Sequence, residues 1–155
     1  MNHESTSLDI VLKDNPDRLA REVIASGLGQ FNTSQAGPGE WRTLAILVQD
    51  EAGLPIGGLW GVTSYGWLFI ELLFLPPELR GQGLGAKLVA QAEAEALARG
   101  CHGAWLDTFE FQARGFYERL GYVLFGQLDD YPRGSARFFM KKSLSPPPSA
   151  NAGPE

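Results

Sequence analysis

The chain contains 155 residues, of which 44% are hydrophobic and 20% are charged. This length suits one domain with its own core, and this composition is typical of a globular protein. The formal net charge of -5 argues against nucleic acid or an anionic membrane as a partner, because both would favour clustered lysine and arginine. A small cationic substrate suits this charge better.

Cysteine content and hydropathy both indicate a cytoplasmic protein. Cys101 is the single cysteine, which excludes an internal disulfide. No N-terminal segment combines a basic start with an apolar run of signal-peptide length, and no stretch approaches the roughly 20 apolar residues of a membrane-spanning helix. We therefore expect a protein of the reducing cytoplasm that has no membrane partner.

Composition also predicts where the folded part begins and ends. Residues 145–155 are rich in proline and serine and have nothing apolar to bury, which favours a disordered tail. Residues 1–7 are expected to be a flexible N-terminus. A single domain is therefore predicted to span residues 8–144.

The first elements in chain order are a strand and a helix. Residues 8–13 have the pattern of a strand. Pro16, preceded by side chains that can cap a helix, begins a run of apolar residues at helical spacing. These residues are Leu19, Val23, Ile24 and Leu28. Gly27 and Gly29 are expected to end the helix, and residues 31–40 are expected to form a loop.

The remaining elements alternate between short apolar runs and helical patterns. Strands are predicted at 43–49, 55–64, 67–75, 104–109, 122–128 and 137–142. Helices are predicted from Leu84 to Gly100 and over residues 111–120. An antiparallel meander followed by a βαβ crossover implies an α/β (α+β) single-domain fold, with a mixed, mostly antiparallel sheet of six to seven strands and helices on both faces.

A glycine-rich loop joins the strand at 67–75 to the following helix. Its sequence is Arg80-Gly81-Gln82-Gly83-Leu84-Gly85. Glycines let the backbone turn tightly, and a helix N-terminus leaves amide N–H groups that can hold phosphate. The loop therefore predicts an anion-binding site.

More than one ligand is compatible with this loop. The P-loop spacing is absent, whereas Gly81, Gly83 and Ala86 satisfy the permissive dinucleotide fingerprint, with Asp107 downstream. Residues 76–80 separate the strand from the first glycine, and too little chain follows for five or six parallel strands. A glycine-rich turn without any ligand is a further alternative.

Two blocks of sequence resemble a known family. The first is Leu75-Pro76-Pro77-Glu78-Leu79-Arg80-Gly81-Gln82-Gly83-Leu84-Gly85, and the second is Phe116-Tyr117-Glu118-Arg119-Leu120-Gly121-Tyr122. Together and in this order they resemble the acyl-CoA-binding signature and the helix ending of the GNAT superfamily of N-acetyltransferases. The resemblance covers residues 8–142.

The resemblance implies a binding mode for acetyl-CoA as co-substrate. Arg80 and the loop amides would hold the pyrophosphate, and the positive end of the helix dipole would assist them. Pantetheine would enter where the two central strands splay apart, with no metal required. The predicted cofactor-binding residues are Leu73, Leu75, Arg80, Gly81, Gln82, Gly83, Leu84 and Gly85.

Acetyl transfer to an amine calls for one base and one acid. The resemblance places the acid of the superfamily at Tyr117. Glu71 is the candidate base, because it is the one charged residue of an apolar strand and would be expensive to bury unless it is paired or functional. The alternative for Glu71 is a carboxylate at the sheet surface paired with an arginine.

One position departs from the family pattern. Many members have an asparagine seven residues before the tyrosine, where this chain has Glu110. Glu110 is either a second acid/base candidate or a sign that this subgroup does without the amide. Aromatic and acidic residues suited to an amine acceptor include Trp60, Asp107 and Phe109.

The predicted function is N-acetyl transfer from acetyl-CoA to the primary amine of a small cationic acceptor, by direct transfer in a ternary complex. The alternative is a catalytically weak module that senses acyl-CoA and acts through a protein partner. Residues 56–60 could also form a homodimer edge. His3 and His102 lack a second metal-ligand partner at suitable spacing and are expected to be incidental.

Overall fold

The computed structural model describes residues 8–145, and the chain divides into two compact units at Gly39 and Glu40. The predicted flexible segment at 1–7 and the predicted tail beyond Ser145 lie outside the described residues. The single domain predicted over residues 8–144 stays a prediction.

The first unit contains helix α1, Arg18–Ala36. The Asp17 carboxylate caps it by accepting from the Leu19 N–H at 3.0 Å. Gly37, with φ of 77°, ends it and donates its N–H to the Thr33 carbonyl.

Two predictions about this unit are wrong. The helix runs through Gly27 and Gly29 and includes most of the predicted loop, because an interior glycine costs only about 1 kcal/mol and does not end a helix by itself. Residues 8–13 form no strand. A strand exists only where its backbone groups pair with a neighbour, and none of the sheet pairings includes these residues.

The second unit is built on a six-stranded sheet. Its strands are β1 Arg42–Gln49, β2 Pro55–Ser64, β3 Trp67–Phe74, β4 Gly103–Phe109, β5 Val123–Asp129 and β6 Ala136–Ser143. Their order is β1-β2-β3-β4-β6-β5, and only the β3/β4 pair is parallel. The mixed α/β fold is therefore confirmed.

Two helices belong to this unit, α2 at Leu84–Ala98 and α3 at Arg114–Arg119. The buried apolar residues of α2 join the buried sheet residues in one core. In α2 these are Leu88, Val89, Ala92 and Ala96. Within residues 8–145, no helix is both long enough and apolar enough to cross a membrane.

Two further predictions need correction. Helix α3 is shorter than predicted, because the Gln112 side-chain oxygen accepts the Phe109 N–H at 2.7 Å and closes residues 109–112 into a turn. The proposed dimer edge at residues 56–60 is not an edge, because β2 pairs with β1 on one side and with β3 on the other.

Candidate active site

The two parallel strands separate beside the site. The β3/β4 register ends at the pair Ile70 and Leu106, although β3 continues to Phe74 and β4 to Phe109. Glu71 and Asp107 are the next residues on the two strands. The end of pairing therefore places two carboxylate-bearing residues at the opening.

Glu71 also lies at a β-bulge. On the β2 side, Trp60 is opposite Leu72 and Gly61 is opposite Ile70, so Glu71 is the extra residue. Its side chain is exposed and lines a cavity of about 830 Å³. The exposed position agrees with the alternative of a carboxylate at the sheet surface, but the expected arginine is missing, since none of the ion pairs found among residues 8–145 includes Glu71.

The glycine loop forms the wall of an adjoining cavity of about 520 Å³. Gly81 and Gly83 have φ of 75° and 77°, in the left-handed region that favours glycine. Gly85 has a different role, because a Cβ there would lie 3.2 Å from the Phe116 ring. Most of the predicted cofactor-binding residues line this cavity: Leu73, Leu75, Arg80, Gly81, Gly83, Leu84 and Gly85.

Two side chains of the loop brace it from within. The Arg80 Nε donates to the Leu75 carbonyl at 2.9 Å, and the Gln82 amide nitrogen donates to the Glu78 carbonyl at 3.1 Å. Gln82 is not among the lining residues described for this cavity. The side chain of Gln82 thus stabilises the turn, while the first-turn amides of α2 have no partner within the helix.

Tyr117 lines the larger cavity together with Glu71. Helix α3 buries its side chain to 7% exposure, between the rings of Phe116 and Tyr122. Burial, and secondly the negative charge of Asp107, raise the pKa of Tyr117 to about 12. The phenol therefore stays protonated at neutral pH, as a proton donor must.

Asp107 is paired with an arginine that the sequence did not single out. The Arg137 Nε donates to Asp107 Oδ1 at 2.8 Å, and both side chains line the larger cavity. Their strands are neighbours in the sheet, but the residues are 30 positions apart in sequence. Its charge did not distinguish it in the sequence, because Lys141 and Lys142 lie in the same strand.

The other predicted acceptor residues differ in position. Phe109 lines the same cavity as Tyr117 and Glu71. Trp60 is not among the described residues that line this cavity. It lies on β2 opposite Leu72 of β3, and its side chain is 45% exposed. Phe109 is thus brought to the site and Trp60 is not.

Glu110 is engaged in a structural contact. Its Oε2 accepts the Ala136 N–H at 3.1 Å and the Ser135 hydroxyl at 3.3 Å. These bonds connect the end of β4 to the start of β6. This arrangement favours a role in holding the β5–β6 turn over a role as a second acid or base.

The structure also bears on metal binding. Among residues 8–145, no group of three or more His, Cys, Asp or Glu side chains could hold a metal ion. His102 packs edge-on against Trp67, with ring centroids 5.3 Å apart.

Comparison with known proteins identifies the family. The model of the acetyltransferase (GNAT) family matches residues 17–122. An acetyltransferase of Agrobacterium fabrum is 38% identical over 135 residues, which cover 87% of this chain and 98% of that protein. The blasticidin-S acetyltransferase of Streptomyces morookaense is 43% identical over 95 residues, which cover 61% of this chain and 70% of that protein.

A solved structure agrees with the sequence matches. The crystal structure of an Agrobacterium tumefaciens protein assigned as an acetyltransferase superimposes with a TM-score of 0.83 at 37% identity. The superposition covers 88% of this chain and 99% of the Agrobacterium chain. The glycine loop, the splayed strands and the α3 tyrosine lie within the matched fold. The chain belongs to the GNAT family of acetyltransferases and is an acyltransferase.

Proposed function

We propose that the protein transfers the acetyl group of acetyl-CoA directly to the primary amine of a small cationic acceptor in a ternary complex. One observation carries this proposal. Tyr117 and Glu71 line one cavity, which adjoins the cavity of the glycine loop and shares Leu73, Leu75 and Arg80 with it. A donor held by the loop amides would therefore direct its thioester toward both side chains.

The residues suit the proton transfers of this reaction. The amine nitrogen attacks the thioester carbonyl carbon, the C–N bond forms and the C–S bond breaks. Glu71 takes the proton that the amine loses, directly or through a water, and Tyr117 supplies a proton to the departing thiolate. The exposed side chain of Glu71 is accessible to an incoming amine, and the raised pKa keeps Tyr117 in the donor form.

The charges around the cavity support a cationic acceptor. Asp107 is neutralised by Arg137, whereas Glu71 has no such partner among the ion pairs of the described chain. The net charge of -5 acts in the same direction over longer distances. A small-molecule acceptor is further supported by the relative named for blasticidin-S.

Release of free CoA from acetyl-CoA, measured with a panel of small amines, tests the proposal. Glu71→Gln should lower kcat/KM by about 10²-fold and leave the dissociation constant of acetyl-CoA unchanged, because it removes the base and not the loop. Glu51→Gln, an exposed glutamate in the turn after β1, is the matched control and should have wild-type rates. Binding of acetyl-CoA without CoA release for any amine would contradict the proposal and favour a sensing module.

A further inference from the structure

An aromatic wall lies in the same cavity as the proposed acid and base. Phe109 and Phe111 stack with ring centroids 5.1 Å apart and an interplanar angle of 8°. Tyr131 contacts Phe109 from the β5–β6 turn, at 5.7 Å. Phe111 is 66% exposed and Tyr131 is 45% exposed, so the outer part of this cluster is open.

The aromatic wall, formed by Phe109 and Phe111, is separate from the glycine loop at residues 80–85. Phe109 and Phe111 line only the larger cavity, together with Tyr117, whereas the loop glycines line only the smaller one. The contacts of the wall are with the β5–β6 turn and with Arg137. It therefore belongs to the acceptor side of the cavity.

Hydrogen bonds hold the aromatic wall in place before any acceptor binds. The Gln112 side-chain oxygen accepts the Phe109 N–H at 2.7 Å, and the Gln112 N–H donates to the Phe109 carbonyl at 2.9 Å. These two bonds close the turn that presents Phe111. A preorganised wall costs less conformational entropy when a ligand binds.

The position of Arg137 beside the aromatic wall limits the kind of group that the wall can bind. The Arg137 guanidinium carbon lies 5.3 Å from the Phe109 centroid and 5.0 Å from the Tyr131 centroid. Arg137 therefore already occupies the cation position at the Phe109 and Tyr131 rings, so a second cation has no such contact to gain there, whereas an uncharged planar ring can stack on the exposed Phe111. The ammonium group of the same molecule would go to Glu71 instead.

We propose that Phe109 and Phe111 form a ring-binding subsite, and that the acceptor is a primary amine joined by a saturated linker to an uncharged aromatic or heteroaromatic ring. This inference rests on the proposed function and adds the chemical class of the acceptor. It assigns Phe111 as a specificity-determining residue.

Paired amines that differ only in ring planarity test the subsite. Phenylalkylamines with two to four methylene groups are compared with the cyclohexyl analogues of the same length, in steady-state assays with saturating acetyl-CoA. The wild-type protein should favour the planar member in kcat/KM by about 3- to 10-fold. Phe111→Ala should reduce this preference to near unity, and Phe111→Trp should restore it.

Three controls separate recognition of the ring from general damage to the protein. The KM for acetyl-CoA and the melting temperature should be the same for Phe111→Ala and for the wild type. Phe125→Ala removes another exposed ring, 51% accessible on β5 and outside this cavity, and should retain the preference. Equal loss of rate for both members of a pair, or an unchanged preference in Phe111→Ala, would overturn the subsite.

Failure of the proposed function would be recognised separately. If the wild type releases CoA with other small amines but acetylates neither member of a pair, the subsite is overturned and the proposed function stands. If it releases CoA with no small amine at all, the proposed function fails, and isothermal titration of both amines into the acetyl-CoA complex then tests the subsite. Tighter binding of the planar amine than of its cyclohexyl analogue by the wild type, with this difference absent in Phe111→Ala, would support the subsite. No binding of either amine, or no preference between them, would overturn it.

Discussion

The glycine loop of the proposed donor site and the proposed acceptor end of the larger cavity are built in opposite ways. The loop is six consecutive residues, 80–85, which line the smaller cavity and whose backbone amides are proposed to hold the donor. The acceptor end consists of side chains from separate strands, with Glu71 on β3, Asp107 on β4 and Arg137 on β6. Substitutions should therefore act on donor binding through backbone conformation, and on the acceptor end through individual side-chain atoms.

The same contrast appears in the packing. A Cβ added at Gly81 or Gly83 would meet nothing within 4 Å, so the requirement for glycine there is conformational rather than steric. Tyr117 packs against two aromatic rings, and its pKa is raised by burial and secondly by the charge of Asp107. A loop of this kind depends on its backbone conformation, whereas the pKa of an acid/base side chain depends on the groups packed around it. The experiments below separate the two.

The largest expected effect comes from removing the proposed acid. Tyr117→Phe should lower kcat by about 10²- to 10³-fold, because the thiolate would leave without a proton. The dissociation constant of acetyl-CoA should be unchanged, since the loop is intact. Tyr122→Phe is the matched control: that buried tyrosine donates to Glu93 at 3.0 Å, and its loss should lower the melting temperature and leave kcat near the wild-type value.

The pH dependence of kcat tests the same residue. Burial and Asp107 both favour the protonated phenol, so a pKa of about 12 keeps Tyr117 protonated well above neutral pH. The wild-type kcat should therefore show no alkaline decrease up to about pH 10, where an unperturbed tyrosine would be half ionised. Full activity of Tyr117→Phe across this range would contradict the assignment of the acid.

An intermediate effect is expected at the loop. Gly83→Ala should weaken acetyl-CoA binding by about 5- to 10-fold, because an alanine resists the left-handed conformation and would shift the loop amides. Gly53→Ala is the control, since Gly53 has the same φ of 77° and equally open surroundings in the β1–β2 turn. Both variants should lose similar stability by thermal denaturation. Equal acetyl-CoA affinities in the two variants would remove the loop from the donor site.

The smallest effect is expected at Glu110. Glu110→Gln keeps an oxygen that can accept the Ala136 N–H. The kcat should therefore stay within about threefold of the wild-type value, and the melting temperature within a few degrees of it. Glu110→Ala should lower the melting temperature and leave kcat nearly unchanged. A loss of kcat in Glu110→Gln as large as that in Glu71→Gln would make Glu110 the base and weaken the contrast between the two ends.

Local patterns predicted most of the sheet. The strand predicted at 55–64 matches β2. The strand predicted at 43–49 pairs with it as a hairpin, because the residues between them, 50–53, form a turn. The end of α1 was predicted incorrectly, because interior glycines lower helix propensity without setting the position of the C-cap. The strand predicted at residues 8–13 failed for a different reason, since strand formation depends on a partner outside the segment.

The sequence by itself determined the glycine loop of the proposed donor site, since the glycines and the helix start that form it are neighbours in the chain and need only local conformations. Tertiary structure alone decided the surroundings of the acceptor end. The pairing of Asp107 with Arg137 depends on the β4–β6 register, and the exposure of Glu71 depends on a bulge against β2. Such pairings join residues distant in sequence, and no periodicity within one segment encodes them.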